Sequence, residues 1–467
     1  MRHSRGAMAA LVAGSALLGA CGHGPESESG ASLNILLVIT DDIGMDRTSA
    51  YGGRVETPHI DALAASGMRF TNAYSNPSCS PSRVSLLTGR HASRTGVGRW
   101  LSMHDSLDGL SAAEVTLPEL LTDAPGGYTS AAIGKWHMNT AVEQGLDVLD
   151  APRERGGFSR FVGMLGNVRE ASVKFMQGEP TRGYSYWERV VDGVPEWTER
   201  YATTDVTDEA IAHMATLPEP WFLWVAYPAA HEPWHVPPAP LLIDTTLEQD
   251  APVWTKMDEM VRVTDAQVGR LLDAMSDELR ERTVVIYAAD NGTAEQVTVA
   301  PWDEMRAKGT TFDGGVNVPF IVSGPMVAAP GTTSDALLHF VDVFPLVAQL
   351  AGAPVLHDVD GQSFLATLLD PDRVEGRPWV FTESFTPGGA SPDPLREVGY
   401  ITRMVRDHRY KLRRVHNRGV PTEELYRYTD PDDLDEGPDL LVGALTAEDE
   451  AAYLRLGEVF DWVVEGF

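Results

Sequence analysis

Two oxygen-rich clusters stand far apart in this chain, Asp41-Asp42 and Asp290-Asn291. Either alone reads as a solvated turn. Each, however, follows a short apolar run, and acidic clusters delivered to one place repel each other and call for a cation. With oxygen as the only donor that ion is hard, Ca²⁺ or Mg²⁺. Adjacent carboxylates with an amide carbonyl suit the flexible shell of Ca²⁺ better than the strict octahedron of Mg²⁺, and Zn²⁺ would want histidine or thiolate. A second set is nucleophilic or cationic. Cys79-Ser80-Pro81-Ser82-Arg83 places a thiol one helical turn before a guanidinium. Pro81 suits the first turn of a helix, so Cys79 falls at or just before a helix N-terminus, where free amides and the dipole favour an anion. Lys135, His137, His231 and Lys308 complete the inventory; taken singly, each is an ordinary surface or core residue.

The elements that must position these groups are legible as apolar runs rich in β-branched residues. Leu33 to Thr40 runs into Asp41-Asp42, and Thr129 to Ile133 into Gly134-Lys135-Trp136-His137. Trp221 to Tyr227 runs toward His231, and Arg282 to Ala289 into Asp290-Asn291. Near-continuous apolar runs of this length read as strands covered on both faces. Helical patterns lie between them at Ile60 to Ser66, Leu117 to Thr122, Asp205 to Thr216 and Met257 to Met275. The alternation predicts an α/β fold, a doubly wound, mostly parallel sheet flanked by helices. Ligands in such sheets bind beyond the carboxyl ends of the strands, where these runs deliver their ionisable residues.

From about Glu375 the texture changes. Trp379 to Phe385, and a hairpin of Tyr400 to Val405 and Tyr410 to Val415 turning at Arg406-Asp407-His408-Arg409, read as antiparallel strands. A last helix over Thr446 to Val464 opens with a capping box, Thr446-Ala447-Glu448-Asp449. The expected layout is a catalytic α/β domain over 33–375 and a smaller α+β domain, with an antiparallel sheet, over 376–467.

The 467 residues carry a net charge of −30. Such a surface repels nucleic acid and anionic membrane, which excludes DNA and RNA as partners, and any anionic substrate needs a local cationic pocket. Arg2, His3 and Arg5 precede an apolar run, Ala7 to Leu18, too short to anchor in a bilayer, which ends in Leu18-Gly19-Ala20-Cys21. Residues 1–21 resemble the signal peptide and lipobox of a bacterial lipoprotein, with lipid on Cys21. Residues 22–32 read as a polar, flexible tether. The expectation is an exported protein of the periplasm or cell envelope that touches membrane only through that lipid. Cys21 and Cys79 are the two cysteines, so if one is lipidated and the other modified no disulfide forms.

The stretch Cys79-Ser80-Pro81-Ser82-Arg83-Val84-Ser85-Leu86-Leu87-Thr88-Gly89-Arg90 resembles, at every fixed position, the C-x-P-S-R-x-x-L-L-T-G-R motif of formylglycine-dependent sulfatases, arylsulfatase-like members of the alkaline phosphatase-like superfamily. Asp41-Asp42-x-Gly44, Thr57-Pro58-His59, Gly134-Lys135-Trp136-His137, Ala226-Tyr227-Pro228-x-x-His231, Asp290-Asn291-Gly292 and Lys308-Gly309-Thr310-Thr311 extend the likeness over most of residues 33 to 467; it is weakest from about 139 to 200.

The resemblance implies a calcium ion held by Asp41, Asp42, the modified Cys79, Asp290 and Asn291. It implies a nucleophile, 3-oxoalanine (formylglycine), made from Cys79 by a formylglycine-generating enzyme that reads Cys-x-Pro-x-Arg in the unfolded chain. Hydrated to a gem-diol, that group would attack the sulfur of an aryl or carbohydrate sulfate, and its second hydroxyl would then expel sulfate. Arg83, Lys135 and Lys308 would meet the sulfuryl oxygens. His231 would protonate the leaving alkoxide, and His137 would act as base for the second step. A phosphonate monoester or phosphodiester hydrolase on the same scaffold, or a non-catalytic glycan-binding lipoprotein, are the alternatives; the intact residue set argues against the second. Trp187, Trp197 and Trp302 are candidates to stack on a ring at the entrance, against the more ordinary reading of a core or exposed tryptophan. The family often has Glu where Asp313 stands and Arg where Asn317 stands, departures that bear on the pocket rim.

Overall fold

A computed structural model describes residues 32–102, 109–138, 148–170, 183–300, 302–355, 358–373, 376–386, 400–417, 420–429 and 436–465. The expected signal peptide, the lipobox and nearly all of the tether lie outside them. Among the described residues no helix is long and apolar enough to cross a membrane.

Ten strands form one sheet in the order 332–334, 67–70, 320–323, 283–289, 34–40, 221–226, 129–135, 160–164, 187–191 and 194–198. Its centre, from 283–289 through 34–40, 221–226 and 129–135 to 160–164, is parallel throughout. Outside it, 67–70 and 320–323 pair antiparallel on one side and 187–191 and 194–198 on the other, while 332–334 pairs parallel with 67–70. Side chains alternate between faces as a pleat demands. Ile35, Leu37 and Ile39 pack with Val84, Leu117 and Phe344 on one side, while Leu36 and Val38 pack with Val206, Val268 and Leu271 on the other. Helix Cys79–Thr88 thus covers one face, and Ala202–Thr216 and Val253–Asp273 cover the opposite one.

Register is what gathers the chemistry. Ile39 lies opposite Ala226, Thr40 opposite Ala289, and Gly134 opposite Ala226. The strands therefore end on one line, and Asp41, Asp290 and Lys135 leave the sheet side by side. The strand from Thr129 runs two residues past the predicted Ile133, to Lys135.

At the C-terminus, strands Val380–Thr386, Tyr400–Arg406, Tyr410–Asn417 and Val420–Arg427 make an antiparallel sheet. The last was not foreseen, because its sequence carries no apolar alternation. Glu423 and Glu424 instead face Arg414 and Arg413 across the ladder. Helix Ala447–Glu465 lays Ala452, Leu456, Phe460 and Val463 on Phe381, Val405 and Leu412, a helical stripe on one sheet face. Its predicted capping box forms, with Thr446 Oγ1 accepting from the Asp449 amide at 3.2 Å and Asp449 Oδ2 accepting from the Thr446 amide at 3.0 Å.

Candidate active site

Cys79 is the first residue of helix Cys79–Thr88, as its distance from Pro81 predicted, and it is buried. Its Sγ lies 3.2 Å from His137 Nδ1. The other ring nitrogen of His137 sits 2.6 Å from the Leu101 carbonyl, which can only accept, so Nε2 carries the proton and Nδ1 is left as an acceptor aimed at residue 79. Burial, with Lys135 and Arg83 nearby, holds the His137 imidazolium well below the usual histidine range, so the ring is neutral. Burial also pushes the Cys79 thiol up, so an unmodified cysteine here would be a poor thiolate.

Around this pair the carboxylates and cations interlock. Arg83 Nε and Nη2 donate to Asp290 Oδ2 at 3.0 and 2.7 Å, and Nη1 donates to the Lys135 carbonyl at 2.8 Å. Lys135 Nζ bonds Asp41 Oδ2 and donates to Asn167 Oδ1 at 2.8 Å. Lys308 Nζ bonds Asp42 Oδ1, which also accepts from Asn291 Nδ2 at 2.7 Å. All the predicted site residues except His231 line this knot. His231 is drawn to it as well, offering a ring nitrogen within 4.8 Å of carboxylate oxygens of Asp41 and Asp42. Its Nδ1 donates to the Glu232 carbonyl at 2.9 Å, which leaves Nε2 out of that bond.

Two acceptors remain orphaned in this buried place, Asp41 Oδ1 and Asn291 Oδ1. A buried oxygen without a donor is costly, and two beside neighbouring carboxylates fit a cation. Asp41, Cys79 and Asp290 also offer ligand atoms within 4.8 Å of one another. An all-oxygen set completed by an oxygen on residue 79 suits Ca²⁺; the thiol does not. The titration pattern agrees. Burial would raise the Asp41 carboxyl, but Lys135, His231, Arg83 and Lys308 hold it well below the usual range. Burial and Asp41 lift Asp290 to about 6, and burial lifts Asp42, as expected for buried carboxylates crowded together. Formally, Asp41, Asp42 and Asp290 cancel Arg83, Lys135 and Lys308, so a divalent ion would leave the pocket cationic inside an acidic protein.

Backbone strain marks the same spot. Among the described residues the non-glycine positions with positive φ are Asp42 (63°), His137 (55°) and Asp192 (46°). Left-handed backbone costs a side-chain-bearing residue about 1 kcal/mol or more, and strain of this kind collects at functional sites.

A cleft of about 470 Å³ opens over the knot, lined at its floor by Asp42, Cys79, His137 and Lys308. Arg83 and Lys135 sit behind that floor on Asp290 and Asp41. Asn167, which links Lys135 to Glu170 through a 3.1 Å bond from Nδ2, was missed; it lies in the stretch where the sequence matches least. The ring candidates need correcting. Trp187 is core, with its indole nitrogen on the Arg200 carbonyl, Trp197 stacks on Tyr186, and neither these nor Trp302 are among the described residues of the cleft. Trp100 and Trp234 line it instead. Asp313 and Asn317 do not shape the rim either. Asp313 is buried against Tyr74, Arg406, Lys411 and Tyr428, and Asn317 donates to the Thr71 carbonyl.

The family model described as Sulfatase matches residues 33–353. Human arylsulfatase A is 32% identical over 389 residues, covering 78% of this chain and 72% of that protein. Mouse arylsulfatase J is 26% identical over 345 residues, covering 72% of this chain and 55% of that protein, so the chain spans about half of that relative. The solved structure of Ps i-CgsB in complex with k-i-k-neocarrahexaose superposes with a TM-score of 0.71 at 22% identity, covering 92% of both chains.

Proposed function

Since the chain belongs to the sulfatase family of sulfuric ester hydrolases, we propose that it hydrolyses an aryl or carbohydrate sulfate ester to an alcohol and inorganic sulfate in the cleft above Cys79. The observation that carries this reading is the helix-terminal Cys79 with His137 Nδ1 at 3.2 Å, set beside the buried Asp41 carboxylate and Asn291 amide, whose orphaned oxygens fit a cation.

Asp41, Asp42, Asp290 and Asn291, with an oxygen on residue 79, would hold Ca²⁺, which supplies positive charge against the sulfuryl oxygens and acidifies a bound hydroxyl. Converted to formylglycine, residue 79 would supply a hydrated aldehyde able both to attack and to release. The chain's own groups do the rest. Lys308 at the floor meets the sulfuryl oxygens, with Arg83 and Lys135 one layer behind fixing the carboxylates and adding charge. His137, held as the Nε2–H tautomer by Leu101, takes the proton from residue 79 through Nδ1. His231 is neutral in the free protein, its imidazolium pushed to about 3 by burial, Lys135 and Lys308. It becomes a competent donor to the leaving oxygen once a bound anion offsets those lysines, with Lys308 as its neighbour in that role.

Maturation would require the formylglycine-generating enzyme. On the sequence of residues 1–21 alone, the protein is exported to the periplasm or cell envelope and lipidated at Cys21. Residues 33–375 would form the catalytic domain and 376–467 the smaller one. The test is relative turnover. An aryl sulfate should be cleaved with kcat/KM at least about a hundredfold above a matched phosphonate monoester or phosphodiester. A reversed order would assign the site to the phosphorus substrates.

A further inference from the structure

The cleft carries carboxylates beyond those of the knot. Glu170, Glu232 and Glu295 line it together with Trp100, Trp234 and Gln296. Among the described residues the one cation lining the cleft is Lys308, already bonded to Asp42. Glu232 and Glu295 are exposed, and no described side chain forms an ion pair with either. Glu232 follows His231, the group assigned to the leaving oxygen, and lines the same cleft. Glu295 lies just past Asp290-Asn291-Gly292 and lines the cleft with Ala294 and Gln296. Trp100 is 51% exposed, with Arg99 over its ring at 5.7 Å, and Trp234 is pinned by its indole nitrogen to the Ala230 carbonyl at 3.2 Å.

We infer that Glu232 and Glu295 are specificity determinants that restrict this enzyme to singly sulfated esters whose leaving group is a neutral or cationic ring, and reject rings bearing a further sulfate or carboxylate. The inference rests on reading the cleft as a sulfate-ester site. An anionic group on the leaving ring would share the cleft with these two unpaired carboxylates, in the field of a chain whose net charge is −30. The sulfuryl group being cleaved escapes this repulsion, since it reaches Lys308 and the ion that Asp41, Asp42, Asp290 and Asn291 would hold. Indole walls favour a flat or ring-shaped leaving group. Selection against a second anion is then a repulsive device, independent of how tightly the correct ring is held.

Two coumarin sulfates, identical except for a carboxylate on the ring, isolate the effect in the matured full-length protein. At low salt the wild type should prefer the neutral ester by roughly tenfold in kcat/KM, with the loss falling mainly on KM. That preference should shrink several-fold at about 0.5 M salt, as the Debye length contracts. In the variant Glu232→Gln/Glu295→Gln it should fall to within about twofold of the ratio the free leaving groups dictate. Comparing the ratio in both proteins cancels the carboxylate's electronic effect on the ester. An unchanged ratio in a variant that still turns over either ester, or a wild-type ratio indifferent to salt, overturns the inference and leaves the sulfatase reading standing. Absence of turnover of both esters by the matured wild type would sink the sulfatase reading, and the inference with it.

Discussion

At the scale of single residues, the site was legible because its chemistry is written in contiguous motifs. Asp41-Asp42, Cys79 to Arg83, Lys135 to His137 and Asp290-Asn291 each sit where a strand or helix ends, so local sequence reports both identity and placement. Asn167, Trp100 and Trp234 were not legible, because a lone amide or indole carries no spacing that marks it. The tautomer of His137 was beyond reach as well, since it depends on a carbonyl 36 residues away in sequence. Two predictions belong here. The tryptic peptide carrying residue 79 in active protein should weigh about 18 Da less than its cysteine form, or match it within about 1 Da when hydrated. Cys79→Ala should lose several orders of magnitude in turnover, and Cys79→Ser should trap about 80 Da of sulfate, having one hydroxyl to attack and none to release it. Full activity with an intact thiol would end the mechanism. Elemental analysis should find about one calcium per chain, lost in Asp290→Ala, which removes a donor and leaves Arg83 with Asp41 at 3.5 Å as its carboxylate partner. Stoichiometric zinc in its place would mean the donor set has been misread.

Elements place those residues, and the central ones are more legible in the sequence than those at the edges. The central strands are buried on both faces, so their apolar runs were long and unambiguous. The hairpin of Trp187–Val191 and Val194–Thr198 was missed although Asp192-Gly193 between them is a strong turn signal; both residues have positive φ, as a type I′ turn requires. One glycine decides whether the site strand can end where it does. Gly134 has φ +98°, and a Cβ there would lie 2.0 Å from the Ala226 carbonyl oxygen of the neighbouring strand. Gly134→Ala should therefore cost about 3 kcal/mol, from overpacking and backbone strain together. It should also depress kcat, because Lys135 and His137 follow directly. Gly52 supplies the control: its φ is +76° but a Cβ would meet nothing within 4 Å, so Gly52→Ala should cost only about 1 kcal/mol. Equal losses in urea unfolding of the two variants would show that the close approach of the strands is not what Gly134 serves.

On the scale of the whole molecule, the C-terminal sheet is joined to the catalytic body by buried charge as well as by apolar packing. Tyr74, Val316 and Leu337 of the body pack with Val380 and Met404 of the sheet. Through the same contact runs Asp313, whose carboxylate accepts from Lys411 Nζ at 2.9 Å, Arg406 Nη1 at 3.0 Å and Tyr428 Oη at 3.0 Å, all from the C-terminal side. Glu436 closes the circuit, accepting from the Asp313 amide at 2.5 Å and from Lys411 Nζ at 2.8 Å. No local sequence pattern announces this network, because its members are scattered from 74 to 436 and meet only once both sheets exist. A buried pair is weak evidence of net stabilisation, but removing one partner strands the others in a medium that cannot solvate them. Asp313→Ala leaves Arg406 without its carboxylate and Lys411 with Glu436 alone. It should cost about 3–5 kcal/mol in denaturant unfolding. Because Asp313 does not line the cleft, the variant's kcat/KM well below its melting temperature should stay within about threefold of wild type. The combination separates a joint from a rim residue. A stable variant with altered substrate preference would return Asp313 to the pocket, where its departure from the family pattern first suggested it.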